Sequence, residues 1–156
     1  AFEAEFASLD GAVVGSYPYL GDTPDVGPYV DLLSRDKRAQ FMLIAGYDPD
    51  ARTILTEARK KNLTIPAMGG DGLEQIALSG PVANGTYVTS SYFSQTPTPA
   101  NQRFVSAYKA RFPAAKTSGY KGVTGTIAFD ENGDVPSLKI YVGQVRDGVM
   151  QPAEGQ

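Results

Sequence analysis

Two short loops of the sequence carry side chains that are suited to holding a small polar molecule. The first loop is Gly46–Pro49 (GYDP), and the second is Gly69–Gly72 (GGDG). Tyr47 offers an aromatic face and a hydroxyl group, and Asp71 offers a carboxylate among residues with little side-chain bulk. An ammonium group would pair with the carboxylate and pack against the tyrosine ring, so the two loops predict a site for an amine.

Ordinary local roles explain the same residues about equally well. In this alternative, Asp48 or Asp50 caps the helix that follows, and the glycines only allow the chain to turn. The second loop is not a phosphate-binding loop, because the lysine and the serine or threonine of that motif are missing. The local pattern alone therefore leaves both interpretations open.

Catalysis is the less favoured interpretation of Asp71. A carboxylate can act as a nucleophile, but the chain contains no histidine and no cysteine. This composition removes the commonest general base, the serine–histidine triad, the cysteine nucleophiles and most zinc sites. The segment Asp130–Asp134 (DENGD) resembles half of a calcium loop, but Val135 stands where that loop needs glycine, so a hairpin turn is favoured. We therefore expect a binding protein without a metal or a cofactor.

Length and charge narrow the class of protein further. A chain of 156 residues with 42% hydrophobic and 20% charged residues fits one globular domain. The net charge of −3 and the lack of a long basic block argue against nucleic acid, whose phosphates need a basic surface. No apolar run approaches the roughly 20 residues of a membrane span, so no span is predicted.

Apolar periodicity predicts alternating strands and helices through the middle of the chain. FMLIAG indicates a short buried strand, and TIPAMG and GTYVTSSYF indicate two more. A helix is predicted from Asp50 to Asn62, and a short helix at LEQIAL ends at Gly80. The apolar stripe of the first helix is Ala51, Ile54, Leu55 and Ala58. Such alternation predicts a parallel sheet, and ligands bind beyond the carboxyl ends of its strands, where both loops lie.

The two ends of the chain are expected to add further elements. AFEAEFASLDG predicts the end of a helix that stops at Gly11, AVVGSYPYL predicts a short apolar strand, and Tyr29–Leu33 predicts a short amphipathic helix. A helix from Ala100 to Phe112 places four apolar residues on one face, namely Phe104, Val105, Tyr108 and Phe112. Residues 122–148 contain two strand-like runs joined by DENGDVPS, which predicts a β-hairpin.

Four segments of the sequence, taken together and in order, are specific enough to indicate a protein family. They are GYDPDARTILTEARKKNLTIPAMGGDG, GTYVTSSYF, NQRFVSAYKARFP and GVTGTIAFDENGDVPSLKIYVGQVRDG. In this order they resemble the leucine/isoleucine/valine-binding proteins, which are type I periplasmic solute-binding proteins of ABC transporters. The resemblance covers nearly the whole chain, and it is best from Gly46 to Gly72 and from Gly122 to Gly148.

The resemblance implies a two-lobed receptor that closes over an amino acid. The chain corresponds to the second lobe, an α/β lobe with a Rossmann-like parallel sheet and a C-terminal β-hairpin. In the family, the tyrosine of the first loop and the acidic residue of the second contact the ligand, and the acidic residue takes its α-amino group. Tyr47 and Asp71 have the family's separation, so the resemblance carries these two roles to them. The family has glutamate or aspartate at this position. The side chain of aspartate is shorter, so it would change how far the carboxylate reaches towards the ligand.

The implied function is that of one lobe of the solute-binding component of an ABC transporter for branched-chain or other amino acids. It is not an enzymatic function. The implied location is periplasmic or extracellular, soluble or lipid-anchored, with the signal segment outside this chain, and the implied partner is the ABC permease. The alternative is a sensory or regulatory domain of the same fold that binds an amino acid or an amide.

The chain also departs from the family pattern. The whole of residues 1–156 is expected to form a single lobe: a first segment at 1–93, a linker and helix at a shortened crossover at 94–118, and a hairpin segment at 119–156. The strand that the family places before AFEAEF is missing, as is the first lobe. That strand would lie inside the sheet, where its neighbours need backbone partners. A second chain or a swapped copy is expected to supply it, unless the chain is a fragment or an engineered lobe.

Overall fold

The computed structural model describes residues 2–19, 25–93, 96, 98–113 and 140–154. Within these ranges the chain forms an open, mixed five-stranded sheet and four α-helices. The helices are α1 (Phe2–Ser8), α2 (Gly27–Arg35), α3 (Asp48–Lys60) and α4 (Pro99–Arg111). The strands are β1 (Met42–Ile44), β2 (Ala67–Gly69), β3 (Tyr87–Ser90), β4 (Tyr141–Arg146) and β5 (Val149–Pro152). The predicted α/β class is confirmed.

The sheet follows the order of the chain, β1-β2-β3-β4-β5. The first three strands are parallel, as expected for strands joined by helical crossovers. Strand β4 then runs antiparallel to β3, and β5 is antiparallel to β4. The parallel half therefore collects the carboxyl ends of β1, β2 and β3 at one edge of the sheet.

Helix α3 forms the core of the parallel half, as its apolar stripe predicts. Its buried residues are Ala51, Ile54, Leu55 and Ala58, which are the four residues of that stripe. Three of them, Ala51, Ile54 and Leu55, pack into one cluster with Ile44 of β1, Ala67 of β2 and Val88 of β3. Burying this stripe supplies most of the reason for the helix to lie on the sheet, because hydrophobic burial is the dominant favourable term in folding.

The predicted strand at residues 12–20 is wrong over the part that the structure describes. Residues 12–19 form no strand there. They and Phe41–Ala45 form two of the walls of a slot of about 1000 Å³. Tyr19 bridges the two walls, because its hydroxyl donates a hydrogen bond to the Ala45 carbonyl at 3.2 Å. Strand pairing requires backbones about 5 Å apart in a ladder, and none of the described strand pairs includes residues 12–19.

The predicted full burial of FMLIAG is also wrong, although the strand itself is confirmed. Strand β1 is an edge strand of the described sheet, so one row of its backbone groups has no strand partner. Ile44 is 2% exposed and belongs to the core, whereas Leu43 is 39% exposed. The apolar run is continuous because the strand is covered on one face and borders the slot on the other.

The predicted short helix at LEQIAL is replaced by two 3₁₀ segments, Asp71–Leu73 and Ile76–Ala83. Gly80 interrupts the second segment with a φ of 73°, a conformation that favours glycine, so an α-helix cannot continue through it. Both segments still bury apolar side chains, among them Leu73 and Ile76. The prediction identified the buried apolar residues of this segment but not its type of helix.

The C-terminal part is described only in pieces. The predicted helix at 100–112 is confirmed as α4, whose first turn is capped by Thr98, yet none of its residues is fully buried. The predicted hairpin loop DENGDVPS and the first run of that hairpin lie outside the described residues. The hairpin that the structure describes is β4–β5, which turns at Asp147–Gly148. Among the described helices, none has the length and apolar character that crossing a membrane requires.

Candidate functional site

The two loops with candidate side chains leave neighbouring parallel strands at the same edge of the sheet. Strands β1 and β2 are paired in register, with Ile44 opposite Gly69. The loop Gly46–Pro49 follows β1, and the loop that contains Asp71 follows β2. The sheet therefore places both loops side by side, at the edge where α/β proteins bind their ligands.

Tyr47 occupies the N-cap position of α3, with an extended backbone conformation. Its carbonyl accepts the first helical hydrogen bond from the Ala51 amide at 3.0 Å, and Pro49 in the first turn suits the start of a helix. The side chain makes no capping hydrogen bond and is 72% exposed. The backbone of Tyr47 is thus fixed by the helix, while its ring stands in solvent at the edge of the sheet.

Asp71 begins the 3₁₀ turn Asp71–Leu73, and its side chain is exposed. Two backbone hydrogen bonds close the turn: the Leu73 amide donates to the Gly70 carbonyl at 3.0 Å, and the Glu74 amide donates to the Asp71 carbonyl at 3.1 Å. Leu73 is fully buried and anchors the turn in the core. The carboxylate of Asp71 is therefore presented to solvent from a fixed backbone.

Gly72 brings the two loops into direct contact. A Cβ atom on Gly72 would overlap the carbonyl oxygen of Gly46 and would lie 3.4 Å from Cδ1 of Tyr47. The backbone of the Asp71 turn consequently lies against the backbone of the Tyr47 loop, close to the edge of the Tyr47 ring. This contact brings the two predicted site residues to adjacent positions at one edge of the sheet, each exposed to solvent.

Asp48 lies at the edge of the candidate site, although its sequence pattern suggests only a helix cap. It does not cap α3, and neither does Asp50, because the N-cap residue is Tyr47 and no side chain caps this helix. Instead, Oδ2 of Asp48 accepts a hydrogen bond from the Gln75 amide at 3.3 Å, in the other loop. Burial raises the pKa of Asp48, an effect that the hydrogen bond from Gln75 opposes. The sequence shows an acidic residue beside Tyr47, but it does not show that the Gln75 amide is its partner.

The end of β3 forms the next part of the edge. The hydroxyl of Ser90, which is 3% exposed, donates a short hydrogen bond to Oε1 of Glu74. The Tyr92 amide donates to the same Ser90 oxygen at 3.3 Å. The hydroxyl of Tyr92 then reaches Oδ1 of Asn101 in α4 at 2.8 Å. This chain of contacts ties the turn that carries Asp71 to β3, and no sequence pattern predicted it.

The described residues do not support a metal centre. Nowhere in the described ranges do three or more histidine, cysteine, aspartate or glutamate side chains gather closely enough to hold a metal ion. The segment Asp130–Asp134, which resembles half of a calcium loop, lies outside those ranges. The side chains described at the sheet edge include an aromatic ring, carboxylates and hydroxyl groups.

Comparisons with known proteins show what the fold resembles. A family model described as periplasmic binding protein matches residues 1–131 of the chain. A leucine-binding protein from Thermotoga maritima has the same fold, with a TM-score of 0.79 and 21% identity over 97% of this chain and 54% of its own. No curated protein sequence matches the chain.

Two further solved structures carry a bound amino acid. A branched-chain amino acid transporter substrate-binding protein from Streptococcus pneumoniae, in complex with isoleucine, has a TM-score of 0.75 and 19% identity over 98% of this chain and 54% of its own. An ABC transporter substrate-binding protein from Desulfitobacterium hafniense, in complex with leucine, has a TM-score of 0.74 and 17% identity over 97% and 54% of the two chains. The chain thus spans about half the length of these solved structures.

Proposed function

Because the chain belongs to the periplasmic binding protein family, we propose that it is one lobe of the solute-binding component of an ABC transporter for branched-chain or other amino acids. The observation that carries this proposal is the contact between the Tyr47 loop and the Asp71 turn at Gly72. The fold is shared with proteins described as leucine-binding or as bound to isoleucine and leucine, which supports the choice of ligand class.

The proposed chemistry is recognition of an α-ammonium group. The Asp71 carboxylate pairs with the ammonium by charge, and the ring of Tyr47 covers the ligand and offers cation–π attraction. Neither group needs a cofactor, and no bond of the ligand is made or broken. The ligand's carboxylate is held by the opposite lobe of the receptor, and closure of the two lobes removes the ligand from water.

The lobe and its setting are also part of the proposal. Residues 1–156 form one lobe, divided into a first segment at 1–93, a crossover linker and helix at 94–118, and a hairpin segment at 119–156. The receptor works in the periplasm or outside the cell, and its closed form docks on an ABC permease. Family membership and the fold of the described ranges support this lobe, this location and this partner.

The slot beside β1 supports a further part of the proposal. Residues 12–19 and β1 are among the residues that line this slot of about 1000 Å³, whose walls are mainly apolar. An extended segment from a second chain or from a swapped copy would place its backbone against the free edge of β1 and its apolar side chains in the slot. In the proposal this segment completes the sheet.

Nuclear magnetic resonance of the ¹⁵N-labelled chain tests the proposed site. L-leucine, L-isoleucine and L-valine at millimolar concentrations are expected to shift the amide signals of Tyr47, Asp71 and Gly72. Weak binding is expected from one lobe, because the partners in the opposite lobe are absent. The matched ligand control is 4-methylpentanoate, which has the leucine carbon skeleton without the amino group and is expected to leave these signals unshifted.

Two variants complete this test. Asp71→Asn is expected to abolish the response to leucine, because the amide cannot neutralise an ammonium group. Asp147→Asn, at the exposed β4–β5 turn, is the matched control and is expected to respond like the wild type. If Asp71→Asn responded like the wild type, the ammonium role of Asp71 would be wrong. A wild-type chain that gave no shifts with any of the amino acids would contradict the proposed site as a whole.

A further inference from the structure

Asp48 connects the two loops of the proposed site through its side chain. It is the first residue of α3 and follows Tyr47 directly. Its Oδ2 atom accepts a hydrogen bond at 3.3 Å from the backbone amide of Gln75, which lies 27 positions further along the chain. Gln75 comes just after the turn that presents Asp71. The carboxylate thus reaches from the loop of one site residue to the segment that carries the other.

The position of this carboxylate is energetically unfavourable in one respect. Its Oδ1 atom is buried and has no hydrogen-bond partner among the described residues. Leaving a buried carboxylate oxygen without a donor costs free energy, because the oxygen has lost its water. The raised pKa of Asp48 has the same origin, since burial disfavours the charged form. A helix start alone does not require this arrangement, because an aspartate in the first turn can remain in solvent.

The neighbouring charges do not neutralise Asp48 fully. Arg52, one turn further along α3, lowers the pKa of Asp48 by its charge, but its Nε donates to the Ser79 hydroxyl at 2.9 Å. The Glu74 carboxylate, from the segment packed against α3, acts in the opposite direction and raises the pKa of Asp48. The hydrogen bond from Gln75 is therefore the direct contact that holds the carboxylate in place.

We infer that Asp48 is a positioning residue of the amine site, which holds the Asp71 turn against the Tyr47 loop. The inference rests on the proposed function, because it assigns a task to Asp48 within that site. Leu73 fixes the turn to the core, and the bond between Ser90 and Glu74 fixes it to β3. The bond from Gln75 to Asp48 adds the link to the loop of Tyr47, and the close approach of Gly72 to Gly46 is maintained by that link.

Three variants of the full chain test the inference by leucine titration. Asp48→Ala removes the acceptor and is expected to weaken leucine binding about tenfold, the loss typical of one hydrogen bond to a charged group. Asp48→Asn keeps an oxygen that accepts from Gln75 and is expected to restore binding close to that of the wild type. Asp50→Ala, in the same turn of α3, is the matched control and is expected to bind like the wild type.

A second measurement does not depend on ligand binding. An amide that donates to a carboxylate changes its chemical shift when the carboxylate is protonated, so the Gln75 amide is expected to titrate with pH. Its midpoint is expected above about 4, the ordinary value for aspartate, because burial raises the pKa of Asp48. The part of this response that is due to Asp48 is expected to be lost in Asp48→Asn, which carries no titratable group at this position.

The outcomes separate this inference from the proposed function. If Asp48→Ala bound leucine like the wild type while Asp71→Asn did not bind, the positioning role would be overturned and the proposed function would stand. Equal losses in Asp48→Ala and Asp48→Asn would overturn it too, because they would show a role for charge rather than for position. Should Asp48→Ala fail to fold, a Gln75 amide that did not titrate, or whose titration was unchanged in Asp48→Asn, would overturn it. Leucine binding that survived in Asp71→Asn would instead contradict the proposed function.

Discussion

At the proposed amine site the backbone of Gly72 lies so close to the carbonyl oxygen of Gly46 that a side chain has no room. The obstacle is a backbone atom at the end of β1, which cannot rotate away as a side chain would. Glycine is therefore required here for close approach, since its backbone conformation is not the reason. The consequence is that a single methyl group should separate the two loops.

Gly72→Ala is expected to weaken leucine binding at least tenfold and to lower the free energy of unfolding by about 1–3 kcal/mol, the usual cost of overpacking. Gly70→Ala is the matched control, because a Cβ atom on Gly70 would meet nothing within 4 Å. Urea unfolding and the leucine titration measure the two effects. If Gly72→Ala bound leucine as well as Gly70→Ala does, the contact between the loops would not matter for the site.

At the scale of the element, α3 serves both the core and the site. Its buried stripe fixes the helix on the sheet, and that position sets where its first residue and its N-cap residue stand. Tyr47 and Asp48 therefore inherit their places from side chains one to three turns away. Substitutions in the buried stripe of α3 are expected to displace Tyr47 and Asp48 as well, because a shift of the helix moves its first turn with it.

The turn between α2 and β1 contains a local ion pair that gives the protein a pH-dependent feature. Arg38 donates to Asp36 from Nε at 2.9 Å and from Nη2 at 2.6 Å. The hydrogen bonds from Arg38 lower the pKa of Asp36 to about 2. Because this pKa is lower in the folded state, the pair stabilises the fold above about pH 4, and that contribution is lost as the pH falls towards 2.

Asp36→Asn is expected to make the free energy of unfolding depend less on pH between about pH 4 and pH 2. The effect is expected to be modest, because the pair is exposed to solvent. Urea midpoints across this pH range measure it, and Arg38→Gln, which removes the other partner, is expected to flatten the same window. A profile of Asp36→Asn that ran parallel to that of the wild type would contradict the role of the pair.

At the scale of the whole molecule, β1 is an edge strand of the described sheet and borders the slot. Leu43 is 39% exposed on this edge, and the segment across the slot forms no strand. An uncovered edge strand is a template for pairing with another chain. The proposed strand from a second chain or a swapped copy should therefore show in the oligomeric state.

Size-exclusion chromatography with light scattering is expected to show association of the chain, in a concentration-dependent manner. Leu43→Lys places a charge on the edge of β1 and is expected to shift the chain towards monomer, because lysine on an edge opposes strand addition. Leu32→Lys, on the exposed side of α2, is the matched control and is expected to associate like the wild type. A stable, well-folded wild-type monomer in dilute solution would contradict the strand proposal.

Much of this architecture could be read from the residues alone, because its signals are local. The stripe Ala51–Ala58 predicts α3, and apolar runs that end in glycine predict β1 and β2. Turn residues after those strands predict where Tyr47 and Asp71 emerge. The family model then supports the fold that these patterns and the order of motifs indicated.

Other features depend on which distant groups meet, and they needed the tertiary structure. Residues 12–19 have the composition of a strand, but a strand forms only when a partner backbone lies within hydrogen-bonding distance, and no described strand pairs with them. The carboxylate of Asp48 could have capped its own helix, yet the packing of the two loops directs it to Gln75. Local patterns determine the elements and their order, whereas the pairing of edges and the partners of polar groups are decided by contacts between residues far apart in the chain.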